Sequence, residues 1–289
     1  MANVLSIDKK AAVISALVEG CSINSIVRMT GVAKWTILRL LAATGKACSE
    51  YQNAVLVDLP ATKVQCDEIW SFVAAKQKNV TDKVKSREPL AGDVWTWVAI
   101  DADSKLACCW WVGQRDAHTA RAFVGDLESR LANRVQMSTD GLKMYFHAIA
   151  ASFGNDIDYG TVHKIYGGTV DESGAGVRYS PARCLGTETK TMIGRPDPKH
   201  ISTSYIERQN LTMRMSMRRY TRLTNGFSKK LENHIHMVNL FYMWYNFVRV
   251  HQTLRVTPAM EAGLSSHVWS IREIVELTTA ATCPANLAA

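Results

Sequence analysis

Apolar positions recur at helical spacing three times within the first 45 residues. Ala11, Val13, Ile14, Leu17 and Val18 make one face, and Glu19-Gly20 stops that helix. Ser22 can cap a second helix carrying Ile23, Ile26, Val27 and Met29. After the turn Thr30-Gly31-Val32, a third helix runs from about Ala33 to Ala43, with Ile37, Leu38 and Leu41 facing inward. Two short helices joined by a Gly-containing turn form the helix-turn-helix arrangement. Its second helix offers Lys34, Trp35, Thr36 and Arg39 to a major groove. An ordinary three-helix bundle fits the same pattern without touching DNA.

Residues 47–62 carry little periodic signal and read as a linker. From Val64 the pattern changes. Val64 to Ala74 is a strand, and Lys76 to Asp93 a polar, basic loop. Val94–Ile100 and Leu106–Val112 are rich in β-formers and joined by the short turn Asp101-Ala102-Asp103-Ser104, an antiparallel hairpin. Asp116 caps a helix reaching Leu131. Val135 to Asp140 is a short strand, Leu142 to Phe153 a helix, and Thr161 to Tyr166 a fifth strand. Residues 167–202, with their scattered Gly and Pro, form a long irregular segment, of the kind that serves function or moves. Helices follow from Ser204 to about Tyr220 and from about Lys230 to Val250. A short helix opens at Pro258, and another covers 268–277. The order predicts an α/β fold: a mixed five-stranded sheet with helices on both faces, preceded by a small all-α domain. Ribonuclease H-like folds have this layout. The expected division is a helix-turn-helix domain over 1–46, the linker 47–62, a catalytic domain over 63–257 with the insertion 167–202, and a helical tail over 258–289.

Composition narrows the partners. Lys and Arg number 34 against 26 Asp and Glu, a formal charge of +8, and 47% of the 289 residues are hydrophobic, enough for a core. The excess sits in two regions, 1–46 and 200–255, which points to a long polyanion such as nucleic acid. No run of 18 apolar residues exists, and the N-terminus lacks a signal-peptide pattern. The seven cysteines include no CxxC, so neither a disulfide framework nor a zinc site is expected, and a reducing cytosol is.

Three acidic positions stand out by context: Asp67 inside the first strand (CDEIWSFV), Asp140 ending the fourth (STDG), and Glu207 in the first turn of a helix (SYIERQN). A charge inside an apolar strand costs several kcal/mol unless it is paired or binds metal. In the expected layout the first and fourth strands are neighbours, and the long helix can bring Glu207 beside them. Three converging carboxylates are tolerated when divalent cations neutralise them. Magnesium fits hard oxygen ligands, and a pair of such ions supports phosphoryl transfer. Glu68 points to the opposite side of the strand from Asp67. Only one of the two is expected in the cluster, and the pattern leaves open which.

At these residues the sequence resembles a DDE transposase, most similar to the insertion sequence one family. The stretches are CDEIWSFV at 66–73, STDGLKMY at 138–145, the block at 204–230 with its Glu-Arg-x-Asn helix, basic run and Phe-Ser-Lys element, and the string from Tyr245 to Ala259. The resemblance implies a triad of Asp67, Asp140 and Glu207, and it favours Asp67 over Glu68 by analogy. It implies two Mg2+ ions, with Mn2+ able to substitute. It implies cleavage at transposon ends followed by attack of the freed 3′-hydroxyl on target DNA. The partners would be terminal inverted repeats and target DNA, bound by a homodimer or higher homo-oligomer in a bacterial or archaeal cytoplasm, at the nucleoid. Family members commonly carry an N-terminal zinc-binding segment, and no cysteine cluster for one exists here.

Around the triad, Asn210 and Arg214 share Glu207's helical face, and Arg218 extends that stripe one turn further. With Arg208 they are candidates for the scissile phosphate or terminal bases, and Lys229 and Lys230 for backbone phosphate. Arg249 and His251 follow a helix expected to pack close by and are candidate supporting residues. A metal nuclease or resolvase of the same fold, and a non-catalytic DNA-binding regulator, are the competing readings.

Overall fold

The computed structural model describes residues 4–167, 184–221 and 224–280. Helix α1 (Ile7–Val18) starts at Ser6, whose hydroxyl accepts from the Lys9 N–H. Helix α2 (Ile23–Thr30) is capped by Ser22 through the Ser25 N–H. It ends at Gly31, whose φ of 69° is a left-handed conformation that costs glycine little. Val32 and Ala33 complete the turn into α3 (Lys34–Val55).

The third helix is longer than its apolar pattern suggests. Residues 47–55, expected as part of a linker, are helical, and Thr44, Gly45, Ala47, Cys48 and Gln52 are buried in α3. The cause is tertiary. This half of α3 lies along α8 (Leu231–Met243), and Gln52 donates to the Asn239 carbonyl at 3.1 Å. Gly45 sits at the crossing, where a Cβ would come within 2.7 Å of the His236 Cα. Small and polar residues at a close helix crossing erase the hydrophobic stripe that sequence reading relies on.

The sheet contains β1 (Lys63–Val73), β2 (Gly92–Asp101), β3 (Ala107–Gly113), β4 (Gln136–Asp140), β5 (Asp158–Tyr166) and β6 (Cys184–Ile193), in the order β3-β2-β1-β4-β5-β6. β1, β2 and β3 are antiparallel, β4 and β5 run parallel to β1, and β6 returns antiparallel on the edge. The mixed sheet with adjacent first and fourth strands is present, with six strands among the described residues rather than the five expected. The sixth comes from the segment expected to be irregular. It is exposed on both faces for most of its length, so it carries neither alternation nor an apolar run. Residues 168–183 of that segment lie outside the described residues, as do 281–289 of the expected C-terminal tail.

The loop after β1 holds the short helix α4 (Asp82–Lys85), and helices α5 (Ala117–Arg130) and α6 (Lys143–Phe153) cover one face of the sheet. There the fully buried Trp97 meets Phe123 and Tyr145 at 6.1 and 5.2 Å between ring centroids. Trp95, two residues before it on β2, is only part-buried and lies under the Arg115 guanidinium. Helices α7 (Ser204–Ser216) and α8 cover the opposite face. Gln65 accepts from the backbone N–H groups of Tyr205 and Ile206, and Trp110 stacks on Tyr242 at 4.5 Å.

Helix α7 stops at Ser216, short of the expected end near Tyr220. Fully buried Met217 takes an extended conformation, and a 3-10 turn holds Arg218–Tyr220. Arg218 therefore leaves the stripe of Asn210 and Arg214. After α8 the chain widens into a π turn over Trp244–Val248. That turn sets Asn246 against β3, where its side chain accepts from the Ala107 N–H and donates to the Ala107 carbonyl. The short helix α9 (Pro258–Glu261) and helix α10 (Ile271–Ala280) close the described chain, α10 packing on α1 and α3. No helix among the described residues is long and apolar enough to cross a membrane.

Gly45→Ala tests the α3–α8 crossing. In a free helix alanine is better than glycine by about 1 kcal/mol. At this crossing the added methyl forces the helices apart, at about 1–3 kcal/mol. The variant should melt several degrees lower, and a rise in Tm would refute the close packing.

Candidate functional site

The registered pairing of β1 with β4 ends at Gln65 opposite Ser138. β4 continues to Asp140 along β5, and β1 continues to Val73 along β2. The two strands thus lose their mutual ladder, and the carboxylates gather at this parting. Asp67 shares the α7 face of β1 with Gln65, while Glu68 shares the α5–α6 face with its cross-strand partner Trp97. Even so, one carboxylate oxygen from each of Asp67, Glu68 and Asp140 lies within 4.8 Å of the others. This corrects the expectation that only one of the adjacent pair reaches the cluster: where no neighbouring strand fills the gap, side chains from both faces can turn into it.

Each carboxylate is held. Asp67 accepts from the Glu68 N–H and from the Asn210 side-chain amide, both at 2.8 Å. Asp140 accepts from the Leu142 N–H at 2.9 Å, a turn that leads into α6. Glu68 accepts from the Arg115 Nε at 2.8 Å and from the Tyr145 hydroxyl at 3.2 Å. Glu207 stands outside the group of three. It accepts from the Thr203 hydroxyl at 2.7 Å and pairs with Lys164 of β5.

The electrostatics follow from this crowding. Burial and the Glu68 carboxylate push Asp67 up to about 7, with Asp140 and Glu207 adding to the effect and the Glu68 N–H opposing it. Burial and Asp140 also hold Glu68 above the usual carboxylate range, against the pull of Arg115 and Tyr145. The donors are all hard oxygens, and the excess negative charge is what a divalent cation relieves. The set fits such an ion. The Asn210 Oδ1 is buried without a hydrogen-bond partner, so the polar demand beside Asp67 is incompletely met by the protein.

The other expected residues divide into groups. Asn210 joins the carboxylates. Arg208 is exposed one residue past Glu207, and its charge reaches His251, as do those of Arg249 and Lys105. After burial, these cations hold the imidazole below its ordinary range. His251 itself bonds Thr253, and Arg249 stacks over Trp244 at 5.5 Å. Trp35 is 72% exposed, which removes it from the core. Lys34 and Arg39 are exposed beside it, and Thr36 is part-buried. Arg214 is part-buried, and Lys229 and Lys230 are exposed at the start of α8. Among the described residues no ion pair joins Lys34, Arg39, Arg208, Lys229, Lys230, Arg249 or His251 to the carboxylates. Lys164 and Arg115, which pair with Glu207 and Glu68, were missed. Lys164 lies two residues beyond Val162, the β5 partner of Asp140. A lysine at the end of the strand next to the acidic strand was the available signal.

No family model matches the chain, and no curated protein sequence matches it. Among solved structures it is similar to a piggyBac transposase, in a synaptic complex with hairpin DNA. The TM-score is 0.32 and the identity 8%, over 91% of this chain and 57% of that one. The chain thus spans little more than half the length of that protein, and a likeness of this size carries no argument about function.

Asp67 gives a pH prediction. Its folded pKa stands above the unfolded value of about 3.9, so its ionisation favours unfolding. The penalty is absent below pH 4, grows as pH rises to 7 and is complete above. Asp67→Asn removes it, and the amide keeps both hydrogen bonds if Asn210 turns its unpartnered oxygen toward it. In chelator the variant should match wild type in Tm near pH 4 and exceed it at pH 8. Equal melting at both pH values would show that neither burial nor the neighbouring carboxylates raise Asp67.

Proposed function

We propose that the chain is a DNA transposase of the acidic-triad type, with Asp67, Asp140 and Glu207 as its catalytic carboxylates. The observation that carries this reading is the meeting of Asp67 and Asp140 where β1 and β4 part, with α7 bringing Glu207 within electrostatic reach and tying Asn210 to Asp67. Ligands in open α/β sheets gather outside the carboxyl ends of strands, and the strand order supports a ribonuclease H-like catalytic domain. Asp67 is preferred to Glu68 because Glu68 already has its own countercharge in Arg115 and a second donor in Tyr145. Glu68 then positions Arg115 and flanks the site.

Asp67, Asp140 and Glu207 would hold two divalent cations, magnesium by preference, which make water a nucleophile at neutral pH and stabilise the leaving oxygen. Asn210 orients the Asp67 carboxylate. Lys164 holds Glu207 and keeps its charge compensated until a cation takes that role. Arg208, Arg249 and His251, which lie within electrostatic reach of one another, are assigned to the DNA backbone. α2, the Gly31 turn and α3 are read as a helix-turn-helix that presents Lys34, Trp35, Thr36 and Arg39 to transposon ends, with Arg214, Arg218, Lys229 and Lys230 on the backbone. Pairing two ends calls for a homo-oligomer, and the site of action is the nucleoid.

The test is a strand-transfer assay. Labelled duplexes are taken from the DNA flanking the gene, with supercoiled target and magnesium. Joined product should form with wild type. It should fall by about a thousandfold or more in Asp67→Ala, Asp140→Ala and Glu207→Ala, the worth of several kcal/mol of transition-state stabilisation. End cleavage without joining would replace the transposase reading with a nuclease, and DNA binding with neither reaction would replace it with a regulator.

A further inference from the structure

A second basic centre lies at the far end of α7. The turn between α1 and α2 rests on it: a Cβ at Gly20 would lie 3.0 Å from the Met215 carbonyl oxygen. On the other side, Gly226 closes onto Arg218, where a Cβ would lie 2.7 Å from its carbonyl oxygen. Between these contacts is a cavity of about 240 Å³. Lys34 enters it from the start of α3, and Arg218, Arg219 and Lys229 from the segment joining α7 to α8, with Asn24 and Asn233 as neutral polar lining. No carboxylate lines it, and no ion pair involves any of these four cations among the described residues.

Two of the cations are held by neighbouring side chains. The Arg219 Nε donates to the Ser228 hydroxyl at 2.8 Å, and the Lys229 ammonium sits 3.3 Å over the Phe227 ring. Burial lowers Arg219 to about 10, still well above neutral pH, and burial together with Lys34 lowers Lys229. Like charges gathered from two parts of the chain, with no counter-ion from the protein, cost stability unless an anion joins them. Phosphate is the anion such a cluster of ammonium and guanidinium groups suits.

We infer that this cavity is a phosphate socket for the backbone of duplex DNA, in which Lys34 from the α2–α3 hairpin and Arg218, Arg219 and Lys229 from the α7–α8 segment close on one phosphate. The inference rests on the DNA reading above and deepens it. From Glu207 to Ser216, α7 covers about 14 Å at 1.5 Å per residue, so the socket stands roughly 15–20 Å from the carboxylates. A duplex seated in the socket reaches the site about half a helical turn away, at 3.4 Å per base pair. The socket thus fixes which phosphodiester meets the carboxylates, and it contributes affinity without reading sequence.

The experiment is fluorescence anisotropy with a mixed-sequence DNA duplex of about three helical turns, in chelator and across a salt series. Lys34→Gln and Lys229→Gln should each weaken binding about five- to tenfold, the worth of one charge-assisted contact. Each should also lower the salt slope, and the two together by no more than about one ion, since a single phosphate is neutralised. The double variant should lose less than the product of the single losses, because both lysines serve one phosphate. Lys34→Arg and Lys229→Arg should bind as wild type does. Tm of the glutamine variants should hold or rise, since a repulsion is removed, and this separates lost contact from lost fold. If wild type binds and cuts DNA while both glutamine variants keep its affinity and slope, the socket falls and the transposase reading stands. Fully multiplicative losses would put the lysines on separate phosphates and overturn the single socket. Weaker competition by inorganic phosphate with unchanged duplex affinity would make it a site for free phosphate instead. If wild type binds no duplex, the DNA reading falls and takes the socket with it.

Discussion

Repulsion among the carboxylates at the parting of β1 and β4 is the constraint on which the surrounding structure depends. Asp67, Glu68 and Asp140 bring more negative charge into a part-buried gap than folding alone would tolerate. The protein meets this in three ways. Arg115 neutralises Glu68 from the α5 side, and Lys164 neutralises Glu207 from β5. Asp67 has neither, and a raised pKa means it keeps its proton up to about neutral pH. Two of four acidic groups are therefore compensated by fixed cations and one by a proton that a metal can displace. An acidic surface patch would need none of these arrangements. On the proposed reading, these arrangements hold the group until a cation joins it.

The fold was legible wherever burial was one-sided. The hairpin of β2 and β3 and the helices on both faces follow from alternation and helical periodicity, while the adjacency of β1 and β4 follows from the ribonuclease H-like layout that this element order suggested. The losses have specific physical causes. β6 is exposed on both faces, so no hydrophobic signal marks it. The second half of α3 buries Thr44, Gly45 and Gln52 against α8, residues that read as polar or breaking in isolation. α7 breaks at Met217 because a fully buried side chain and an extended backbone there outweigh helical propensity. For the site, the sequence context picked out Asp67, Asp140, Glu207 and Asn210. It could not show that Glu68 would turn into the same gap, because strand alternation assumes that the ladder continues.

α7 joins the two centres. Its first turns carry Glu207 and Asn210, and Asn210 reaches Asp67 directly. Its last turn supports the Gly20 backbone and leads through Met217 to Arg218 and Arg219. The N-terminal helices belong to the same body: one hydrophobic cluster runs from Val13 and Leu41 through Val64 and Phe241 to Val275. The expected boundary at residue 46 falls inside α3 and marks no joint in the packing. On the proposed reading this has a mechanical consequence. A recognition hairpin on a flexible tether would add local concentration but leave the scissile bond to be found by diffusion. A hairpin packed on α8 and α10, with its basic cleft closed against α7, holds DNA at a fixed distance from the carboxylates. The choice of bond is then made by rigid spacing, and the carboxylates, which read no sequence, act where that spacing places the strand.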